Sequence, residues 1–172
     1  MESGSYDQEK VIRLFDKKIL AVRVTPEDPS WFKTYNVKFT PTCILLNPEG
    51  NEEERSTGML EVNALMAFLL LGMAKSYYDL GMLEEGRECV EILTRDYPGS
   101  AQAPEGFFMR GIFRYHVDHN RDHFKESYEI LDARYPKSIW MKRSRLLYMY
   151  PCALFRWQTS RHQKGDFWDK DD

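Results

Sequence analysis

No Cys-x-x-Cys pair occurs in the chain, and its three cysteines, Cys43, Cys89 and Cys152, are scattered and odd in number. That spacing supplies neither a zinc knuckle nor a dithiol, so each thiol is expected to act as a small buried apolar group in a reducing compartment. Long apolar runs are also scarce. The longest, Ala64 to Ala74, is about half of the ~20 residues that a membrane-spanning helix needs, which argues against a membrane and predicts a buried helix. Positive charge is not in excess. A net charge of -3 with a pI near 5.9 leaves no global field to hold phosphates, so nucleic acid is not an expected partner. Met1 to Tyr6 carries neither the basic nor the apolar stretch of a signal peptide. A cytoplasmic location is expected, and an address upstream of Met1 stays compatible with an earlier start. The chain contains no Gly-rich phosphate loop, Ser/His/Asp set or paired catalytic carboxylate that stands out, and no cofactor is expected.

What is present is enough for a packed core: 42% hydrophobic and 14% aromatic residues. Val11, Ile12, Leu14 and Phe15 place one apolar face on a helix from Asp7 to Lys18. Ile19 to Val24, nearly continuous and β-branched, predicts a buried strand. Pro29 and Ser30 open a short helix through Trp31, Phe32 and Tyr35 that Asn36 ends. Thr42 to Leu46 predicts a second buried strand, Asn47 to Asn51 a tight turn with Gly50 at positive φ, and Glu52 to Thr57 a charged edge strand. From Leu60 the period turns helical. Helices are expected over Leu60 to Leu80, Met82 to Asp96, Ala103 to Val117, Asp122 to Arg134 and Ser138 to Tyr150, with stops at Pro98, Pro136 and Pro151.

Two phrases echo each other: Arg95-Asp96-Tyr97-Pro98-Gly99-Ser100 and Ala133-Arg134-Tyr135-Pro136-Lys137-Ser138, with prolines 38 positions apart. Such a period suggests stacked helix pairs, and each serine is a candidate N-cap for the next helix. Ala74, Tyr77, Gly81, Gly86, Val90, Leu93 and Pro98 stand at spacings that resemble the tetratricopeptide repeat. A second, looser copy carries Gly111, Tyr128, Leu131 and Pro136, with an enlarged loop between its helices, and the last helix resembles a capping helix.

Tyr35-Asn36-Val37-Lys38-Phe39-Thr40-Pro41-Thr42-Cys43-Ile44-Leu45-Leu46 resembles the segment that leads to the cis-proline of thioredoxin-like proteins. Asn47-Pro48-Glu49-Gly50 is similar to the hairpin turn of that family, and Gly58-Met59-Leu60 to the approach to its last helix. The resemblance implies that Pro41 is cis and that Thr40, Pro41 and Thr42 bind peptide. It also implies that the strand and the Cys-x-x-Cys that precede the first helix in that family are missing, so that Met1 marks a truncation or a late start. The implied fold is α/β plus all-α: an incomplete thioredoxin-like domain (α-β-α-β-β-α) over residues 1–64, tetratricopeptide-like antiparallel hairpins over 65–157, and a polar tail over 158–172. The missing strand would lie between Ile19–Val24 and Thr42–Leu46, which suggests self-association through unpaired strands.

Other constellations have plainer expectations. Cys43 is expected to be a buried strand residue, with a lone thiol near the cis-proline as the alternative. His116, His119 and His123, with Asp118 and Asp122, are weak metal candidates in a polar loop. Lys142, Arg143, Arg145, Arg156, Arg161 and Lys164 interleave with Tyr148, Tyr150, Phe155 and Trp157. Nucleic-acid stacking is one reading of that pattern, and an amphipathic helix is the preferred one. Taken together these features predict an interaction module for a protein or peptide client, with no catalytic residue in this chain. The alternatives are a fragment of a thiol-disulfide oxidoreductase or thioredoxin-like chaperone whose dithiol lies upstream and, more weakly, a metal-binding module.

Overall fold

The computed structural model describes residues 18–150 except 26 and 28, and only the backbone of Pro29. The expected helix from Asp7 lies outside the described residues apart from Lys18. So do Cys152, Arg156, Arg161, Lys164, Phe155, Trp157 and the tail from 158. Among the described residues the fold is mixed and mostly helical, with six helices and one two-stranded antiparallel sheet. In chain order they are α1 (Pro29–Thr34), β1 (Thr42–Leu46), β2 (Glu52–Thr57), α2 (Val62–Asp79), α3 (Leu83–Asp96), α4 (Ala103–Asp118), α5 (Asp122–Arg134) and α6 (Ile139–Met149). The chain divides into two compact units, Met1–Gly106 and Phe107–Asp172, and α4 begins in the first and continues into the second. The boundary expected between 64 and 65 lies inside the first unit.

Ile19 to Val24 forms no strand, contrary to expectation. Leu20 is 90% and Val22 67% exposed. A strand exists only where a ladder partner satisfies its backbone, and β1 pairs with β2 alone among the described residues. β-branched composition without a neighbour does not suffice. The slot expected between two unpaired strands therefore has only one strand beside it.

The hairpin forms as the turn residues dictate. Asn47 Oδ1 accepts the N–H groups of Glu49 at 3.0 Å and Asn51 at 2.9 Å, and Gly50 takes φ +84°. The register pairs Thr42 with Thr57, Cys43 with Ser56, Ile44 with Arg55 and Leu45 with Glu54. Alternation then sends Leu45 and Glu54 to one face and Thr42, Arg55 and Thr57 to the other. α2 covers the first face. A Cβ on Gly72 would lie 3.1 Å from both Leu45 Cδ1 and Glu54 Cβ, so helix and sheet approach where the helix has no side chain. Lys75 Nζ bridges Glu54 at 2.6 Å and Glu105 at 2.8 Å, tying β2, α2 and the first turn of α4 together.

α2 is buried nearly all round from Leu65 to Ala74, as a helix covered by a sheet on one side and a helix on another must be. Gly81, at φ +73°, reverses the chain after α2: the Met82 N–H returns to Tyr77 O at 2.8 Å and the Gly81 N–H to Tyr78 O at 3.1 Å. α3 packs along α2 with Gly86, Cys89, Val90 and Leu93 buried. A Cβ on Gly106 would fall 2.6 Å from Leu93 Cδ2, which places the start of α4 directly on α3.

In the second unit Phe113, Phe124 and Leu131 form the core. α4 and α5 touch at Gly111, where an added Cβ would meet Ser127 Oγ at 2.4 Å. Glu126 fastens the same pair outside the core through Arg110 and Arg114, each at 3.0 Å. α6 is held by Trp140 against Phe108, with ring centroids 5.0 Å apart, and by Tyr148 stacked on Tyr128 at 5.8 Å. The loop in this hairpin is residues 119–121, no longer than 80–82 in the first, so the expected enlargement is absent. The polar residues belong instead to the ends of the helices. His119 takes φ +56° and its N–H returns to Tyr115 O at 2.7 Å, which lets α4 run on to Asp118.

Candidate peptide-binding site

The Thr40–Pro41 peptide bond is cis, the conformation the sequence resemblance implies. The loop around it is pinned on both sides. Thr42 Oγ1 donates to Phe39 O at 2.6 Å, and the Gly58 N–H donates to Pro41 O at 2.8 Å. Upstream, Asn36 takes φ +48° and the Val37 N–H bonds Phe32 O at 2.8 Å, closing the turn after α1. Arg55 locks that turn, because its Nη2 donates to Tyr35 O at 2.7 Å while its Nε donates to Glu52 Oε1 at 2.8 Å. The hydrogen bond from Arg55 holds the Glu52 carboxyl below its usual range and raises the guanidinium in return.

Beside the loop lies a shallow hollow of about 330 Å³, lined by Asn36, Lys38, Phe39, Thr42, Arg55 and Thr57. It occupies the sheet face opposite α2, where the register places Thr42, Arg55 and Thr57 together. Phe39 is 71% exposed at its rim, and Met59, next to the Gly58 that holds Pro41, is 74% exposed. Thr40 is exposed and Pro41 half-buried. Of the expected peptide-binding residues, Thr42 alone lines the hollow; Thr40 and Pro41 form the adjoining loop. Sequence reasoning missed Asn36, Lys38, Phe39, Arg55 and Thr57. The signal for the last two was the period-2 alternation of β2 combined with the short turn, which together fix the register.

Cys43 belongs to the other sheet face, shared with Leu45, and does not line the hollow. It is half-buried and is not in a disulfide. Cys89 is buried in α3, and desolvation pushes its thiol up to about 11, opposite to what a reactive thiolate requires.

The three histidines do not share one helix face. His116 is in the last turn of α4, His119 is in the loop and His123 is in the first turn of α5. His123 Nε2 lies 2.8 Å from Asp118 Oδ2, and Asp118 Oδ1 also accepts the Asn120 N–H at 2.9 Å. Burial and the neighbouring His119 charge hold His116 below its ordinary value. Among the described residues, no group of three or more His, Cys, Asp or Glu side chains is arranged to hold a metal ion. Nor, among those residues, is any helix long and apolar enough to cross a membrane. No family model matches the chain, and no curated protein or solved structure matches it either.

Proposed function

We propose that this chain is a protein–protein interaction module that holds a peptide segment at the Thr40–Thr42 loop, built from a thioredoxin-like part followed by tetratricopeptide-like hairpins, with no Cys-x-x-Cys in this chain. The observation that carries the proposal is the hollow beside the loop. Two large apolar side chains face water here: Phe39, in the lining of the hollow, and Met59, next to the Gly58 that bonds Pro41. The lining of the hollow presents the Lys38 cation and the hydroxyls of Thr42 and Thr57. Exposed apolar groups beside a few fixed polar ones suit a peptide with one apolar anchor and polar backbone or carboxylate groups. Arg55 is committed to Glu52 and Tyr35, which leaves Lys38 as the cation that meets a client carboxylate. The cis Thr40–Pro41 bond supports the thioredoxin-like reading of this loop. Gly81 at its turn, with buried Ala74, Gly86, Val90 and Leu93, supports the tetratricopeptide-like reading of the first hairpin.

A random-sequence peptide library displayed on phage tests the proposal. Peptides selected on the wild-type chain are expected to carry an apolar residue near an acidic one. Their affinity for the double variant Phe39→Ala with Lys38→Glu is expected to fall at least tenfold, about 1.4 kcal/mol or more. Neither side chain is part of the buried core, so the variant keeps its fold. Selected peptides that bind the double variant as well as the wild type contradict the proposal.

A further inference from the structure

One face of α6 carries an exposed apolar row. Ile139 is 54%, Leu146 58%, Met149 52% and Tyr150 57% exposed, and the row steps from Ile139 to Leu146 and on to Met149 and Tyr150 at helical spacings of seven, three and four residues. Lys142 and Arg143 fall within the same row, between Ile139 and Leu146, and both are exposed. Arg145 is exposed beside it, and the helix has no acidic residue. The inner face is spoken for: Ser144 is buried with its hydroxyl on Met141 O at 2.8 Å, Trp140 packs on Phe108, and Tyr148 on Tyr128. The guanidinium of Arg143 lies 4.4 Å from the centroid of the Trp140 ring, which fixes that cation on the helix surface.

We infer that this face of α6 docks an acidic amphipathic helix of a partner protein. Exposed apolar side chains that stand together on one helix face mark an interaction surface. The apolar side chains stand at both ends of the row, with cations between them, over 11 residues or about 16 Å of helix. The complementary surface is a helix whose apolar residues are about two turns apart with carboxylates in the middle. A second copy of α6 is disfavoured, because it would bring cations against cations with no acid on either side. A lipid surface is disfavoured too, since a helix lying in a membrane interface keeps its cations off its apolar face, and here they interrupt it. The site lies in the second unit and does not depend on the peptide-binding loop.

The experiment uses the full chain and a fluorescein-labelled synthetic 14-residue helix with leucines at the end positions of one face and glutamates between them, read by fluorescence anisotropy. The wild type is expected to bind it, and Leu146→Asp and the pair Lys142→Glu with Arg143→Glu are each expected to weaken binding at least tenfold. A control with lysines in place of the glutamates is expected to bind at least tenfold more weakly. Equal binding of a scrambled peptide, equal binding by Leu146→Asp, or no binding by the wild type overturns the inference. So does tighter association with vesicles of anionic lipid than with the acidic peptide, if Leu146→Asp abolishes it.

Discussion

The hydroxyl of Ser138 accepts the Trp140 N–H at 3.1 Å and caps α6, while Ser100 Oγ is buried with no hydrogen-bond partner among the described residues. The two serines end the same phrase, and the turns before them match. Tyr97 and Tyr135 adopt nearly the same backbone angles, each N–H returns to a leucine carbonyl four residues back, and each carbonyl accepts the N–H of the serine three residues on. The difference lies beyond the serine: α6 starts at once, whereas α4 starts three residues later. Ser138→Ala is expected to cost about 1 kcal/mol, lowering Tm by about 2–4 °C. Ser100→Ala, which removes a desolvated hydroxyl, is expected to leave Tm unchanged or raise it. A thermal melt of the two variants separates them, and a loss for Ser100→Ala equal to that for Ser138→Ala would contradict the assignment. Lys75 is the other decisive side chain. Burial pulls its ammonium down, but the hydrogen bonds to Glu105 and Glu54 outweigh that and leave it above its ordinary 10.5. A lysine raised on folding contributes fully below its unfolded value and loses the contribution as pH rises through the folded one. Lys75→Met leaves two carboxylates facing each other and is expected to cost roughly 2–3 kcal/mol near pH 7. In chemical denaturation the gap to wild type should stay level towards mild alkali and shrink above about pH 10.5.

At the scale of elements, the hairpins depend on places without a side chain. Gly111→Ala adds a Cβ 2.4 Å from Ser127 Oγ and 3.0 Å from the His123 carbonyl oxygen. The hydroxyl can be removed but the backbone oxygen cannot. The substitution is expected to destabilise by about 1–3 kcal/mol despite alanine's higher helix propensity. Adding Ser127→Ala should recover part of it, seen as a coupling of about 1 kcal/mol in a double-mutant cycle. Helix periodicity makes α2 to α6 legible within a residue or two at most ends, because each has an apolar face and a proline, glycine or polar turn beyond it. The β1–β2 hairpin is legible for the same kind of reason, its turn residues being specific. Ile19 to Val24 is not, because a strand is a property of a pair, and nothing in the segment itself reveals whether a neighbour is present. The loop after α4 escapes the sequence because His119 adopts a left-handed angle that its type tolerates but does not announce.

For the whole molecule, the loop at Pro41 is legible and the hollow beside it is not. Thr40, Pro41 and Thr42 are adjacent in sequence, whereas Lys38, Phe39, Arg55 and Thr57 meet only once the hairpin register brings β2 onto β1. The apolar row on α6 is hidden differently. Its residues are visible as an amphipathic helix, but which face is covered depends on Trp140, Ser144 and Tyr148 finding partners within the second unit. Both surfaces offer water-facing apolar side chains beside cations, one in each unit, and binding is what such surfaces do. The most direct test is nuclear magnetic resonance of the full chain titrated with a peptide selected on it, with each backbone amide monitored. Shifts concentrated at residues 36–43 and 55–59 are predicted. Shifts that avoid this loop, or that persist there when Phe39→Ala and Lys38→Glu are introduced together, would contradict peptide binding at the Thr40–Thr42 loop.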